Sequence, residues 1–204
     1  MFCDTDEDRV RIYEEIFEGR KKPPFPELAK QYMAHGTKYE DTAMETFLNN
    51  MPMLYTMEAP MCQHSSVNYM AASPDGFYEY NDLSERGVVE IKCPGKTKRC
   101  NKNVTWYYVP QMYVEMACSG HTNAIFVSWG LDTCRAWKLS WNDQMWHALS
   151  VLIDTFMRTK DNMNQATYND FLQAKFELKK QCMACVEAAE IISPEEGWLT
   201  VIEQ

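Results

Sequence analysis

The residues with the most chemical content lie in the stretch SPDGFYEYNDLSERGVVEIKCP, 73–94. Two β-prone runs flank a turn-forming segment, 81–87, and this predicts a hairpin. With a symmetric loop, opposed residues have numbers summing to about 165, which sets Phe77 across from Val88 and Asp75 across from Glu90. Opposed residues of an antiparallel pair share a face, with Cβ atoms roughly 4.5–5.5 Å apart. Two carboxylates so placed repel each other unless a cation neutralises them, so the pair is a candidate metal site. Alternation along the strand puts Val88, Glu90 and Lys92 on one face and Val89 and Ile91 on the other. Lys92 then projects beside Glu90. Carboxylates bind hard magnesium ions through oxygen, a bound ion acidifies water, and an ammonium steadies charge developing on phosphorus-bound oxygens. That set is suited to hydrolysing a phosphodiester.

A third carboxylate comes from GTKYEDTAMETFLNN, where Glu40 shares a helical stripe with Met44, Phe47 and Leu48. A carboxylate on an apolar stripe is costly unless paired or bound to a metal. The alternative is a boundary glutamate that reaches past the core to water. The tripeptide pattern E-x-K says little alone, since the chain holds a second copy at Glu177-Leu178-Lys179. That copy lies in a helical pattern without an upstream Pro-Asp and reads as a solvated face. A helical glutamate, then Pro74-Asp75, then fourteen residues, then Glu90-x-Lys92 on a strand is a much rarer combination.

The elements that must position these groups follow from periodicity and breakers. Residues 6–19 read as a helix ending at Gly19, before the breaker PPFP at 23–26. A helix restarts near Pro26, is interrupted at Gly36, and resumes over 37–49. Short β-prone runs follow at 53–58, 67–72, 77–80 and 88–92. A basic loop leads to a helix over 104–118, and strands at 123–129 and 133–139 flank the turn Gly130-Leu131-Asp132. The segments 141–158 and 166–190 are helical by periodicity. This order predicts an α/β or α+β fold, a central mixed sheet flanked by helices.

At the residues quoted, the chain resembles the lambda exonuclease (YqaJ-type viral recombinase) branch of the PD-(D/E)xK nucleases. Gly36-Thr-Lys-Tyr39-Glu40 with Ala43 and Phe47 is similar to that family's first helix motif, and Ser73-Pro74-Asp75-Gly76 and Glu90-Ile91-Lys92-Cys93-Pro94 to its two central motifs. Tyr107-Tyr-Val-Pro-Gln111-Met-Tyr113 is similar to its Q-x-x-Y-type helix, and Asn123-Ala124 opens the following strand. The resemblance covers roughly residues 36–158 and implies a restriction-endonuclease-like core within a single nuclease domain, 1–204, whose part from 159 to 204 is helical. It implies magnesium-dependent hydrolysis of duplex DNA ends in the 5′→3′ direction, with manganese as a substitute ion, for recombination or viral DNA processing. Asp75, Glu90 and the Ile91 carbonyl would hold the metal, and Glu40 would complete the acidic site. Lys92 would position or activate water, Gln111 would orient water or phosphate, and Ser73 and Tyr113 would contact DNA. A ring-like trimer around the DNA and a single-strand annealing partner are also implied. The family often has a longer N-terminal region with a Trp- and Arg-containing segment that captures the 5′ phosphate. Here 35 residues precede Gly36, none is tryptophan, and Arg9, Arg11, Arg20 and Lys21 are the candidates for that role. An endonuclease, an RNA-degrading enzyme, and a non-catalytic DNA- or partner-binding module are the competing readings.

Composition bounds these readings. With 204 residues, 46% of them hydrophobic, the chain can bury one sizeable core and is not disordered. The start MFCDTDEDRV is acidic and predicts no signal peptide, and the longest apolar run, 124–127, is too short for a bilayer. Eight cysteines then read as free thiols in a reducing intracellular compartment, host cytoplasm or nucleus for a viral protein, and the Asn103-Val104-Thr105 sequon as unglycosylated. A net charge of -9 opposes nucleic-acid binding only on average. The run from Lys92 to Lys102 holds Lys96, Lys98 and Arg99 and no acidic residue, so phosphate contacts are expected there. Cys182-Met-Ala-Cys185 lacks the second pair that structural zinc needs, and residues three apart on a helix share a buried face. His35, His64, His121 and His147 show no metal spacing, and the fourteen methionines read as core filler.

Overall fold

The computed structural model describes residues 5–159 and 164–200; Cys3, one of the eight expected thiols, lies outside them. The chain order is α1 (Asp6–Phe17), α2 (Glu27–Asn50), β1 (Leu54–Met57), β2 (Cys62–Gln63), β3 (Ala71–Ala72), β4 (Gly76–Tyr80) and β5 (Arg86–Lys92). A 3₁₀ turn at Trp106–Tyr108 leads into α3 (Val109–Ser119), then β6 (Asn123–Trp129), β7 (Thr133–Ser140), α4 (Asp143–Thr159) and α5 (Gln165–Ala188). Two short strands, β8 (Glu190–Ile191) and β9 (Trp198–Leu199), follow.

The sheet runs β1-β4-β5-β6-β7-β8, with β9 also paired to β7. All neighbours are antiparallel except β5 and β6. A parallel pair cannot be joined by a hairpin, so the chain leaves β5, crosses one face as α3, and returns as β6. Strand alternation then splits the core in two. Val88, Ala124 and Phe126 face α3, α4 and α5, where Met112, Met116, Leu149, Leu152, Phe156 and Phe171 bury their side chains. Val89, Ile91, Ile125 and Val127 face α2, meeting Ala43, Phe47 and Met51. The mixed sheet flanked by helices is the expected fold.

The β4–β5 hairpin has the predicted register, with Phe77 opposite Val88 and Gly76 opposite Val89. Beyond the last ladder pair, Asp75 N donates to Val89 O at 3.1 Å, which carries Asp75 alongside Glu90. In three places the structure differs from the sequence reading. Gly36 does not interrupt α2, which is continuous from Glu27 to Asn50. A glycine costs a helix about 1 kcal/mol relative to alanine, and helical turns on both sides carry it through. The run 67–72 is not one strand but the end of a small ladder between β2 and β3. The C-terminal part is not wholly helical, since β8 and β9 lengthen the sheet beyond β7. Strands of two residues are too short to show a period.

Gly87 sets the distance between β5 and its parallel neighbour. A Cβ there would lie 2.2 Å from Asn123 O and 2.7 Å from the Tyr78 ring. Both are parts of the sheet that cannot swing aside, as a flexible side chain would. Gly87→Ala is therefore expected to destabilise the protein by about 1–3 kcal/mol through overpacking. A lower midpoint in urea denaturation checks it; an unchanged midpoint contradicts the proposed clamp.

Candidate active site

Glu90, Lys92 and Gln111 meet where β5 runs out and α3 begins. Glu90 is 1% exposed, although it is a carboxylate in the middle of a sheet. Its Oε1 accepts from the Lys92 ammonium and, at 2.6 Å, from Gln111 Nε2. Its Oε2 is buried and receives no hydrogen bond from an amide, ammonium or hydroxyl among the described residues, and its near neighbours are the carboxyls of Asp75 and Glu115, with which it shares protons rather than gaining a cation. Asp75 Oδ2 accepts from Ile91 N at 2.7 Å, so the hairpin's own backbone holds the second carboxylate beside the first. The Lys92 ammonium also lies 5.2 Å over the Tyr108 ring, which fixes its side chain at the cleft wall.

The charges are mutually dependent. Burial raises the pKa of Glu90, Lys92 opposes that rise, and Asp75 adds to it. Burial likewise raises Asp75, against the Ile91 N–H and Lys92. For Lys92 burial acts downward, but Glu90, followed by Asp75 and Glu115, outweighs it and holds the ammonium above the ordinary lysine value. Lys92 is thus a fixed cation in this arrangement.

A cleft of about 490 Å³ opens beside this cluster, lined among others by Tyr32, Glu40, Ile91, Lys92, Tyr108 and Gln111. A smaller hollow on the other side of Glu40 is lined by Asp75, Ile91, Met44 and Glu58. Glu40 comes from α2, on the sheet face opposite α3, and is exposed where the two hollows adjoin. Its exposure matches the boundary glutamate that the stripe pattern left as the alternative, and its pKa is raised by partial burial and then by Asp75, against Lys92. It feels the pair without joining it: among the described residues no three His, Cys, Asp or Glu side chains are grouped to hold a metal. The Asp75–Glu90 pair is a smaller donor set and still fits a hard divalent cation. Magnesium keeps several waters and takes one or two carboxylates, and the orphaned Glu90 Oε2 is an oxygen in need of positive charge.

The expected DNA-side residues divide. Lys96, Lys98 and Arg99 are exposed on the turn after β5. That turn is pinned: Lys98 N donates to Pro94 O at 2.9 Å, Leu131 N donates to Lys98 O at 2.9 Å, and Lys98 itself has φ 53°. Gly95 packs so closely on α2 that a Cβ would lie 2.7 Å from Tyr32 Cα. Ser73 is exposed just before Pro74. Tyr113 is a correction. It is fully buried, and its hydroxyl donates to Ser140 O at 3.0 Å, because two residues after Gln111 the helix has turned about 200°, to the core.

The arginines considered for a phosphate are also engaged. Arg9 is 0% exposed, paired with Asp6 at 2.7 Å and directed at Thr159 and Thr167, so it fastens α1 to the last two helices. Arg11 pairs with Asp8 and Glu15, and Arg20 with Glu14. Lys21 is exposed. The second E-x-K lies on α5, where Glu177 accepts from Gln181 and pairs with Lys180. Cys182 and Cys185 are buried thiols, in contact with Met145 and Tyr113 respectively.

Sequence reasoning missed Glu115. It is 1% exposed, one turn after Gln111, and its Oε1 accepts from Gln111 Nε2 at 2.9 Å while its carboxyl also lies against that of Glu90. Burial first, and then the Glu90 charge, push its pKa up to about 9. The available signal was a lone acid four residues after Gln111 in the otherwise apolar run VPQMYVEMA.

A model of the YqaJ-like viral recombinase domain family matches residues 3–122, more than half of the chain and reaching further N-terminal than the motifs do. The fold is similar to the crystal structure of an alkaline exonuclease, LHK-Exo, from Laribacter hongkongensis, with TM-score 0.55 and 17% identity over 90% of this chain and 89% of that one. It is also similar to LHK-Exo in complex with dAMP, with TM-score 0.52 and 18% identity over 92% and 88%. No curated protein matches the chain. Among the described residues no helix is long and apolar enough to cross a membrane.

The buried acids give the folded, metal-free protein a pH dependence. Their raised pKa values mean that the fold binds protons which the unfolded chain releases, so this contribution to stability falls as pH rises. The loss begins near the ordinary carboxylate value of 4.5 and is complete above about 9, where Glu115 ionises. In EDTA, Glu90→Gln or Asp75→Asn is expected to melt higher than wild type, by up to about 1 kcal/mol in stability, from relief of like-charge repulsion. The gap should widen from pH 5 to pH 9. Thermal melts across that range check it, and a gap that narrows with pH contradicts the charge assignment.

Proposed function

Because the chain belongs to the YqaJ-like viral recombinase domain family, we propose that it is a DNA exonuclease that hydrolyses phosphodiester bonds at duplex ends with a divalent cation. The observation that carries this reading is the pairing of half-buried Asp75 with buried Glu90, with one Glu90 oxygen lacking an N–H or hydroxyl donor among the described residues and Lys92 fixed beside it. Magnesium, or manganese in its place, would be held by Asp75, Glu90 and the Ile91 carbonyl. When bound it supplies Lewis-acid stabilisation and a lowered pKa for water.

The remaining roles fall to the chain. Lys92, kept cationic by its acidic neighbours, steadies negative charge as it develops on the phosphate. Gln111 helps orient the reacting groups from the α3 side, and Glu40 adds negative charge at the junction of the two hollows. Lys96, Lys98 and Arg99, on their pinned turn, hold the DNA backbone at the rim, and Ser73 contacts a phosphate oxygen. The whole chain, 1–204, serves as one nuclease domain. The 5′→3′ direction, a ring-like trimer, an annealing-protein partner and a role in recombination or viral DNA processing rest on family kinship. A location in a reducing intracellular compartment agrees with the unpaired thiols.

Linear and circular duplex DNA, incubated with magnesium or with EDTA, test the proposal. Degradation of linear DNA alone, with magnesium alone, is expected. Equal attack on circles would indicate an endonuclease, preference for RNA a ribonuclease, and binding without turnover a non-catalytic module. Lys92→Ala should lower kcat by roughly 10²-fold while DNA binding persists. Lys179→Ala, in the second E-x-K, should leave kcat alone, and equal losses from both would remove Lys92 from its role. Neutralising Lys98 and Arg99 together should weaken DNA affinity and flatten its dependence on salt, with the slope of log K against log salt reduced by about 2.

A further inference from the structure

We propose that Glu115 is a positioning residue that sets the orientation of the Gln111 side-chain amide, so that Gln111 presents its carbonyl oxygen, and not its amino group, to the cleft. The inference deepens the nuclease reading and rests on it.

Two acceptors flank the amide nitrogen. Gln111 Nε2 donates to Glu90 Oε1 at 2.6 Å and to Glu115 Oε1 at 2.9 Å. An amide nitrogen has two hydrogens, and both are now used. Glu115 keeps its proton below about pH 9 and shares it with Glu90, so a reversed amide would set its carbonyl oxygen against the Glu90 carboxylate and find no free donor on Glu115, exchanging two hydrogen bonds for lone-pair repulsion. Chemistry therefore assigns the amide orientation, which electron density rarely does. The trigonal amide carbon then turns Oε1 away from both acids, toward the cleft that Gln111 lines.

That orientation decides what Gln111 can touch. Oε1 accepts hydrogen bonds and cannot donate them, so it can hold a water molecule or hydroxyl by its proton. It cannot satisfy a phosphate oxygen, which needs a donor. Gln111 thus belongs with the attacking water, and phosphate contacts fall to Lys92 and the basic turn. With Glu90 alone as partner, one N–H would be free and the amide could rotate toward phosphate; the second acceptor removes that freedom. Glu115 stays in place because it is 1% exposed in the α3 face that packs on the sheet, where its side chain bonds Gln111 and lies against Glu90.

Glu115→Met removes the acceptor and keeps the bulk, Glu115→Gln keeps an acceptor oxygen, and Gln111→Ala removes the amide. In metal-free protein with ¹⁵N-labelled glutamine, the Gln111 side-chain protons should exchange slowly in wild type and in Glu115→Gln, and at least about tenfold faster in Glu115→Met. With magnesium and linear duplex DNA, Glu115→Met should lower kcat about tenfold with KM within about twofold, Glu115→Gln should recover to within about threefold of wild type, and Gln111→Ala/Glu115→Met should be no slower than Gln111→Ala. Gln111 protons that exchange as fast as free glutamine in wild type overturn the proposal even where Glu115→Met does not fold. So does a Glu115→Met enzyme with wild-type kcat, or a double variant whose losses multiply. A wild-type protein that hydrolyses no DNA overturns the nuclease reading and this inference with it, an outcome distinct from active wild type and indifferent Glu115→Met.

Discussion

Glu90 is an acid placed where a sheet protein would ordinarily put valine, 1% exposed between Val89 and Ile91, with Asp75 carried against it by the hairpin. Removing a carboxylate from water costs several kcal/mol even after relaxation, and a second one alongside adds repulsion to desolvation. Much of the local architecture compensates that cost. Lys92 follows two residues later, on the same face by alternation, and brings a full positive charge. Gln111 adds an N–H from the crossover helix, and the Ile91 N–H bonds Asp75. Even so, Glu90 Oε2 gains no N–H or hydroxyl donor among the described residues, only the company of other carboxyls. A protein selected for stability alone would fill this place with an apolar side chain, as replacement of buried ion pairs often shows. Retention of an incompletely neutralised acid is what a cation-binding role explains.

The topology follows from the same constraint. Glu90 needs a donor from above the sheet and a cleft beside it. The parallel β5–β6 connection supplies both, since its crossover helix must start next to the end of β5 and lie over the sheet. The turn between them is where the cationic residues Lys96, Lys98 and Arg99 are found, held by Gly95 against Tyr32. Gly87 keeps β5 and β6 close enough for the register that places Lys92 opposite Ser128. A single crossover thus provides the Gln111 amide, the wall of the cleft and its basic rim.

How much of this could be read from the sequence depended on the range of the interaction. The hairpin register was legible because a turn signal and two alternating runs lie within twenty residues, and Asp75, Glu90 and Lys92 came with it. Glu40 stood out as an acid on a helical stripe, but its exposure at the junction of the two hollows, across the sheet from α3, depends on how α2 packs. Tyr113 looked like part of the site because it falls in the motif that resembles the family's, whereas two residues of helix rotate it from Gln111's side into the core. Glu115, four residues on, returns to Gln111's side, and helical geometry could have pointed to it. Arg9 was beyond reach: its partners Thr159 and Thr167 lie 150 and 158 residues away. The strands β8 and β9 were equally so, since two residues reveal no alternation.

The distribution of charge completes the argument. A chain of net charge -9 repels a polyanion at long range, yet three of its arginines are spent on internal pairs, Arg9 with Asp6, Arg11 with Asp8 and Glu15, Arg20 with Glu14. The uncancelled cations of the basic turn therefore stand out against an acidic surround, and attraction to phosphate is concentrated at the cleft's rim. Screening shortens the reach of both fields to about 8–10 Å near physiological salt, so a duplex feels the rim only once it is near the site. On the proposed reading, this arrangement discriminates by position: DNA presented at the cleft meets lysine, arginine and the paired acids together. Local clustering of a few unpaired cations, with Arg9, Arg11 and Arg20 neutralised by acids of their own helix region, lets an acidic protein act on an acidic polymer.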